Sequence, residues 1–468
     1  MKIKLNFFGA AKNVTGSCYL VETNNLRILV DCGLYQERDL KNRNWDAFPI
    51  PPKDVDIVLL THAHLDHCGR LPKLVKEGFR GTIYCTPASA DIAKIILKDS
   101  AHIQEEDIRH KLYRHKKANK KSPFPYVPLY TGDDVEKTLP LFKHAPYKEP
   151  VDLGDGVRAS FFEAGHIFGS TMIKLEIEQE GERRSILFSG DVGRWDIPII
   201  EDPHQFEEAD YILIESTYGD RLHEEVASIP GELERIVNET HRAGGNLLIP
   251  SFAVERTQEL LYHLNILLSE DRIPHLVTFV DSPMAIHVTK VFQKHPELFD
   301  EETMALLEKG RHPCDFPGLT MTPTVAQSKG INHIKGSAII IAGSGMCTGG
   351  RIKHHLVNNI HRPQCTILFV GYQAFGTLGR KILEKPHSVR LFGENHRVKA
   401  RIEKISGFSA HADRNELVRW ISSVKNTPRK VFITHGEEKA AYAFKEHLSE
   451  QTGWKCTVPS YCQEVILD

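Results

Sequence analysis

The chain has 468 residues, 41% of them hydrophobic and 26% charged, with a net charge of −2. That describes an ordinary globular protein with room for about three domains, and it argues against a disordered or collagen-like chain. A near-neutral total does not advertise a nucleic-acid binder, although a basic groove can sit inside it. The nine cysteines are odd in number, scattered and never spaced CxxC. They read as reduced thiols of a cytoplasmic chain, not as a disulfide frame or a thiolate metal site. No run of about eighteen apolar residues is present to span a membrane. Met1 leads straight into an alternating strand pattern, which reads as a chain with no signal peptide.

Taken in order, Lys2 to Gly9 alternates as a strand. Cys18 to Glu22 and Arg27 to Asp31 follow as a hairpin around Thr23-Asn24-Asn25. Asp31 sits at the end of the third strand, where it suits either a turn cap or a partner for a histidine's second nitrogen. Asp56 to Leu60 is a short apolar strand that runs into Thr61-His62-Ala63-His64-Leu65-Asp66-His67. In extended backbone His62 and His64 point the same way, while Asp66 and His67 turn off at the loop, so one strand end can feed two adjacent metals. Imidazole and carboxylate are the ligands zinc accepts where a position must stay open for water. A polar loop that happens to hold three histidines is the plainer alternative, and the spacing argues against it.

Gly81 to Thr86 is predicted as a strand and Ala88 to about Lys116 as a helix, with Ile92, Ile95, Ile96, Ile103 and Ile108 on its apolar side. The helix enters the run Arg109 to Lys121, with seven Lys/Arg in thirteen residues, and Pro123, Pro125 and Pro128 stop it. Such a run is more often a solvated helix end than a phosphate contact. A strand from Val157 to Phe162 leads into Glu163-Ala164-Gly165-His166-Ile167-Phe168-Gly169-Ser170, whose glycines let the backbone bring His166 inward. The strand Ser185 to Ser189 delivers Asp191, a carboxylate that can bridge two metals.

Asp31, the His62-to-His67 cluster, His166 and Asp191 together resemble the metallo-β-lactamase fold. That resemblance implies an αββα sandwich with its metal site along one edge of the sheets. It implies that His62, His64 and His166 hold one zinc, that Asp66 and His67 help to hold a second, and that Asp191 bridges them, with Asp31 behind the ligands.

From Tyr211 the pattern changes to strands alternating with helices. The strands are Tyr211–Ser216, Asn246–Pro250, Leu276–Val280, Ser337–Ala342 and Thr366–Val370. The helices are Pro230–Arg242, Glu255–Leu268, Ala285–Lys294 and one from about Arg351. This predicts an α/β chain with a second, parallel-sheet domain inserted into the first. Four turns carry small or hydroxyl residues: Glu215 to Gly219, Pro250 to Arg256, Asp281 to Met284 and Gly343 to Arg351. At strand-to-helix turns their N–H groups can meet an anion, with Arg256 and Arg351 adding charge. Ser251, Arg256, Ser344, Thr348 and Arg351 are the substrate-binding candidates.

His411 then appears in Ile405-Ser406-Gly407-Phe408-Ser409-Ala410-His411-Ala412-Asp413, just before a helix starting near Asp413. His435 ends the strand Lys430 to Thr434. The full set resembles the β-CASP branch of the metallo-β-lactamase superfamily, nucleases that include the messenger-RNA 3′-end-processing endonuclease. Glu215 matches that branch's motif A, His411 motif B and His435 motif C. The likeness runs from Gly9-Ala10-Ala11 and Val14-Thr15-Gly16-Ser17 to Thr434-His435-Gly436-Glu437. It implies residues 1–208 and 395–468 as the metallo-β-lactamase domain and 209–394 as the inserted β-CASP domain. Histidine at motif C implies an RNA substrate and completes the second zinc site. No KH-type module is expected before the first strand, and the 33 residues after His435 are too few for the C-terminal domain of ribonuclease J.

The activity implied is a two-zinc endoribonuclease leaving 5′-phosphate and 3′-hydroxyl ends, with His411, Glu215 and Asp66 as catalytic residues. Single-stranded RNA would lie in a cleft between the domains. No organic cofactor and no membrane are expected, and a homodimer stays open. Two alternatives remain: a 5′-exoribonuclease or small-molecule hydrolase of the same fold, and a silent RNA-processing scaffold. None of the seven expected ligands is missing, which weighs against the scaffold.

Overall fold

A computed structural model describes residues 2–23, 25–118, 126–179, 181–223, 228–334 and 336–468, with the side chains of 114–118 left undescribed. The basic run Arg109 to Lys121 lies partly, and Pro123 and Pro125 wholly, outside the described residues. The chain forms two compact units. One comprises residues 1–195, 202–222 and 411–468, and the other residues 196–201 and 223–410.

The first unit holds two seven-stranded sheets. In spatial order the first sheet runs Gln463–Leu467, Ile3–Phe7, Tyr19–Glu22, Arg27–Val30, Ile57–Leu59, Thr82–Cys85, Phe142–His144. The second runs Cys456–Thr457, Lys430–Thr434, Tyr211–Glu215, Glu182–Phe188, Thr171–Gln179, Val157–Glu163, Pro150–Gly154. Leu5, Phe7, Val21, Ile28 and Val30 from one sheet share a single core with Phe161, Ile173, Leu175, Phe188 and Phe432 from the other, so the sheets lie face to face. Alternation in the outer strands and continuous apolar runs in the inner ones place these side chains inside. On the far side of the second sheet, helices Arg414–Ile421 and Glu438–Thr452 bury Leu417, Trp420, Phe444 and Leu448 against Ile212, Ile214 and Ile433. Asp413 caps the first of these helices, accepting from Asn415 N and Glu416 N. Helix Pro87–Ala118 buries Ile92, Ile96 and Leu97, whereas Ile103, expected on its apolar side, stands half in solvent. The architecture is the αββα sandwich anticipated from the motifs.

The second unit is a six-stranded sheet, every neighbouring pair parallel, in the order Leu319–Met321, Val277–Asp281, Ala338–Ala342, Leu247–Pro250, Thr366–Phe369, Arg401–Lys404. Ala338–Ala342 is buried along its whole length, as a parallel strand covered on both faces must be.

Two boundaries differ from the sequence reading. Tyr211–Glu215 is not the first strand of the insert. It pairs in parallel with Glu182–Phe188 and Lys430–Thr434 inside the sandwich. Arg401–Lys404 belongs to the insert, so the inserted unit runs from 223 to 410 in place of 209–394. A fully buried parallel strand has the same apolar signature in either sheet, so pattern alone cannot assign it. Among the described residues no cysteines are bridged, and no helix is long and apolar enough to cross a membrane.

Candidate metal centre

Parallel pairing brings the candidate residues together. In the second sheet the strands ending at Phe188, Glu215 and Thr434 run side by side, with Phe188 beside Leu213 and Glu215 beside Thr434. The strand end at Glu215 and the turns after Phe188 and Thr434 present Asp191, Glu215 and His435 at one end of the sheet. In the first sheet Val30 lies beside Leu59, which sets Asp31 next to Thr61 and the histidine loop. Two of these positions have left-handed backbone, Asp31 at φ 61° and His435 at φ 46°. Non-glycine residues hold that conformation at a cost of about 1–3 kcal/mol each, which the surrounding packing must supply. Close approach does the rest: a Cβ on Gly193 would sit 1.6 Å from the Gly165 carbonyl oxygen, so only glycine lets the Asp191 turn pack on the His166 turn.

The ligand atoms of His62, His64, His166 and Asp191 all lie within 4.8 Å of one another, as do those of Asp66, His67 and His435. His64 Nδ1 is 3.2 Å from both His62 Nε2 and His166 Nε2. Asp191 Oδ2 is 3.5 Å from His62 Nε2 and 3.4 Å from His166 Nε2. The edge of a tetrahedron with 2.0–2.1 Å metal–nitrogen bonds is about 3.3–3.4 Å, and these four separations are close to that edge. In the second cluster His67 Nε2 is 3.1 Å from His435 Nε2 and 3.3 Å from Asp191 Oδ1, with Asp66 Oδ2 3.7 Å from His435 Nε2. Asp191 thus turns one oxygen to each cluster. Its Oδ1 is buried and, among the described residues, receives no hydrogen bond. An orphaned carboxylate oxygen ringed by imidazole nitrogens fits a divalent cation.

Protonation is consistent with that donor set. Burial, aided by the neighbouring imidazoles, holds His62 well below its ordinary value, and burial brings His64 down to about 4. Both are neutral, as ligands must be. For His67, burial opposes protonation but the Asp191 and Asp31 carboxylates prevail and raise it. For His435, burial is likewise overcome, by Asp191 and Asp66. A cation bound there would take the place of those protons. Asp31 accepts from His67 Nδ1 at 2.7 Å, from Thr61 N at 2.9 Å and from Ser17 Oγ at 3.2 Å, so it fixes which nitrogen His67 turns inward.

His411 lies beside the clusters, its ring 4.5 Å from that of His166. Its Nδ1 is 3.2 Å from Glu215 Oε1. Burial lowers its proton affinity, but the Glu215 carboxylate overrides this and lifts it to about 9. Glu215 is in turn held by Val192 N at 2.7 Å and Thr217 N at 3.3 Å.

Sequence reasoning missed Ser17, Thr61 and Thr217, whose hydroxyls address Asp31 and His435 Nδ1. Thr217 belongs to one of the expected anion turns, and that turn, Glu215 to Gly219, lies in the sandwich beside the candidate ligands and not in the insert. The other three turns do meet at the carboxyl ends of the inserted sheet, where the Gly343 Cα faces Ser282 and Ser251. Ser251 Oγ accepts from Thr257 at 3.1 Å, and Ser344 Oγ lies 3.3 Å from Thr348 Oγ1. Both arginines placed there for an anion are committed within the unit. Arg256 pairs with Glu259, and Arg351 with Asp281 at 2.8 Å and the Thr322 and Pro323 carbonyls. Their proximity in sequence to the turns carried no information about where the guanidinium groups point.

An αββα sandwich whose strand ends gather two histidine–aspartate clusters around a shared carboxylate defines a metal-dependent hydrolase. Family models match the chain as Metallo-β-lactamase superfamily over residues 12–213, β-CASP domain over 257–382, and Zn-dependent metallo-hydrolase RNA specificity domain over 395–459. The chain belongs to the β-CASP branch of the metallo-β-lactamase superfamily. It is 38% identical to Ribonuclease TTHA0252 of Thermus thermophilus over 442 residues, covering 94% of this chain and 95% of that one. It is 31% identical to Transcription termination factor FttA of Methanocaldococcus jannaschii, covering 95% of this chain and 68% of that protein. With the RNase J-like protein of the same organism it shares 29% identity, covering 94% of each. A crystal structure of a protein from Enterococcus faecalis V583 has the same fold, with a TM-score of 0.56 at 11% identity over 100% of both chains.

Proposed function

We propose that the chain is an endoribonuclease that uses two zinc ions to hydrolyse single-stranded RNA, leaving 5′-phosphate and 3′-hydroxyl ends. The observation that carries this is the pair of clusters sharing Asp191, with His411 beside them on a buried carboxylate. Relatives named as a ribonuclease and as RNase J-like support RNA as the substrate. His62, His64, His166 and Asp191 would hold one ion, and Asp66, His67, His435 and Asp191 the other. Bound there, such ions lower the pKa of water toward 7 and offset charge on a phosphoryl oxygen.

The protein's own groups do the rest. Asp31 and Thr217 hold His67 and His435 in orientation. Water attacks phosphorus, the P–O3′ bond breaks, and the departing oxygen needs a proton. His411 supplies it: Glu215 occupies Nδ1, so the proton is presented from Nε2, and the same carboxylate keeps the ring charged until transfer. The test is a single-stranded RNA with a blocked 5′ end beside DNA of the same sequence. Rapid cutting of the blocked RNA and slow cutting of the DNA are expected. Loss of activity on the blocked RNA would move the assignment to a 5′-exoribonuclease.

A further inference from the structure

The inserted unit carries a feature that the metal centre does not use. A cavity of about 630 Å³ opens between the Thr348 turn, helix Leu378–Leu383 and the hairpin Ser388–Leu391/Glu394–Arg397. Lys353, Lys381 and Arg390 line it against a single carboxylate, Glu384, which is already paired with Arg380 at 2.8 Å. Two exposed phenylalanines flank its lining residues in the chain. Phe375, next to the lining residue Gly376, is 95% exposed. Phe392, at the hairpin tip, is 56% exposed, with Lys353 Nζ 4.8 Å from its ring. A phenylalanine left almost wholly in water forgoes the burial that ordinarily places it in a core.

We propose that this groove is a subsite for single-stranded RNA, in which Phe375 and Phe392 stack bases while Lys353, Lys381 and Arg390 follow the phosphates. The proposal rests on the ribonuclease reading and gives the substrate a second point of contact. Aromatic platforms along a basic groove are how proteins hold a single strand without reading its sequence, because every base has a face to stack and every linkage a charge. A protein partner fits less well: lysine is depleted from protein–protein interfaces, and here two of the three cations are lysines.

The experiment uses the full chain carrying His411→Ala to suppress cleavage, with a fluorescent 20-nucleotide RNA titrated at several salt concentrations. Phe375→Ala is expected to weaken binding roughly 5- to 100-fold, the reach of one stacked base. Lys353→Gln with Lys381→Gln should flatten the plot of log affinity against log salt by about 1.4, near 0.7 for each cation removed from a single strand. Val325→Ala, which trims a comparably exposed side chain elsewhere in the unit, should change neither. Wild type that cuts RNA while these variants bind it normally overturns the groove and leaves the ribonuclease standing. Wild type that neither cuts nor binds RNA removes both. Variants that change the oligomeric mass with RNA affinity unaltered would make the patch a protein interface and also overturn the proposal.

Discussion

Replacing His411 separates a proton-donating nuclease from a generic metal hydrolase. The ring touches the clusters from the side and is held by Glu215 at 3.2 Å. His411→Ala is therefore expected to leave metal content intact while slowing RNA cleavage by roughly 10²–10⁴-fold, the usual reach of general acid catalysis. That range is about 3–5 kcal/mol of barrier. Burial lowers the proton affinity of His411, and the Glu215 carboxylate, with Asp191 and Asp66 adding to it, outweighs that and lifts the ring to about 9, so the charged donor form depends on Glu215. Glu215→Gln should cost less than His411→Ala, and little more once His411 is already alanine, because both changes act through the same proton donor. An aryl phosphodiester, whose leaving group needs no proton, should restore His411→Ala but not His435→Ala. Metal analysis and rates on the two substrates form the assay. Equal slowing of RNA and the aryl ester would refute the role and leave His411 as a residue that merely precedes its helix.

His62→Ala combined with His64→Ala should abolish cleavage and empty the first cluster, read by elemental analysis. Stoichiometric metal in the double variant would count against the ligand assignment. Asp31→Asn keeps a side chain that tolerates the φ of 61° but loses the charge behind His67, so metal affinity at the second cluster should fall about 10–100-fold with the first unaffected. Asp281 is buried and accepts from His355, Ser328, Thr322 and Arg351, which together overcome the burial penalty and hold its carboxyl down at about 2. A depressed carboxyl stabilises the fold above its unfolded value near 4 and loses that contribution as pH falls from 4 towards 2. Asp281→Asn should therefore cost about 2–3 kcal/mol at pH 7, with the gap to wild type closing near pH 2 in thermal unfolding. A gap that stays constant across that range would deny the carboxylate its part.

The clustering of His62, His64, Asp66 and His67 just after one strand was legible from their spacing, although Asp66 and His67 lie in the short helix Leu65–Cys68 and not in a loop. The parallel character of the insert was legible too, since alternating strands and helices leave few other topologies. What local pattern could not reach was membership. Tyr211–Glu215 is apolar on both faces, and such a strand suits the centre of either sheet. Only its partners decide, and they lie at Ile186–Phe188 and Lys430–Thr434. The direction of the arginine side chains was not legible for a related reason. Arg351 follows a turn rich in small residues, yet its guanidinium reaches back to Asp281, 70 positions away in the chain.

The centre itself depends on such long-range register more than on its own loops. Leu213 sits beside both Phe188 and Phe432, so the three strands hold a fixed register and their ends bring Asp191, Glu215 and His435 toward the same point. Pairing fixes that register, and a slip of one residue in any of the three strands would turn its side chains to the opposite face. Asp31 and Thr61 are tied in the same way through Val30 and Leu59. Candidate ligands drawn from residues 62 to 435 can thus gather around one carboxylate because two hydrogen-bonded ladders, each braced by the core between them, carry the positional information that no single motif contains.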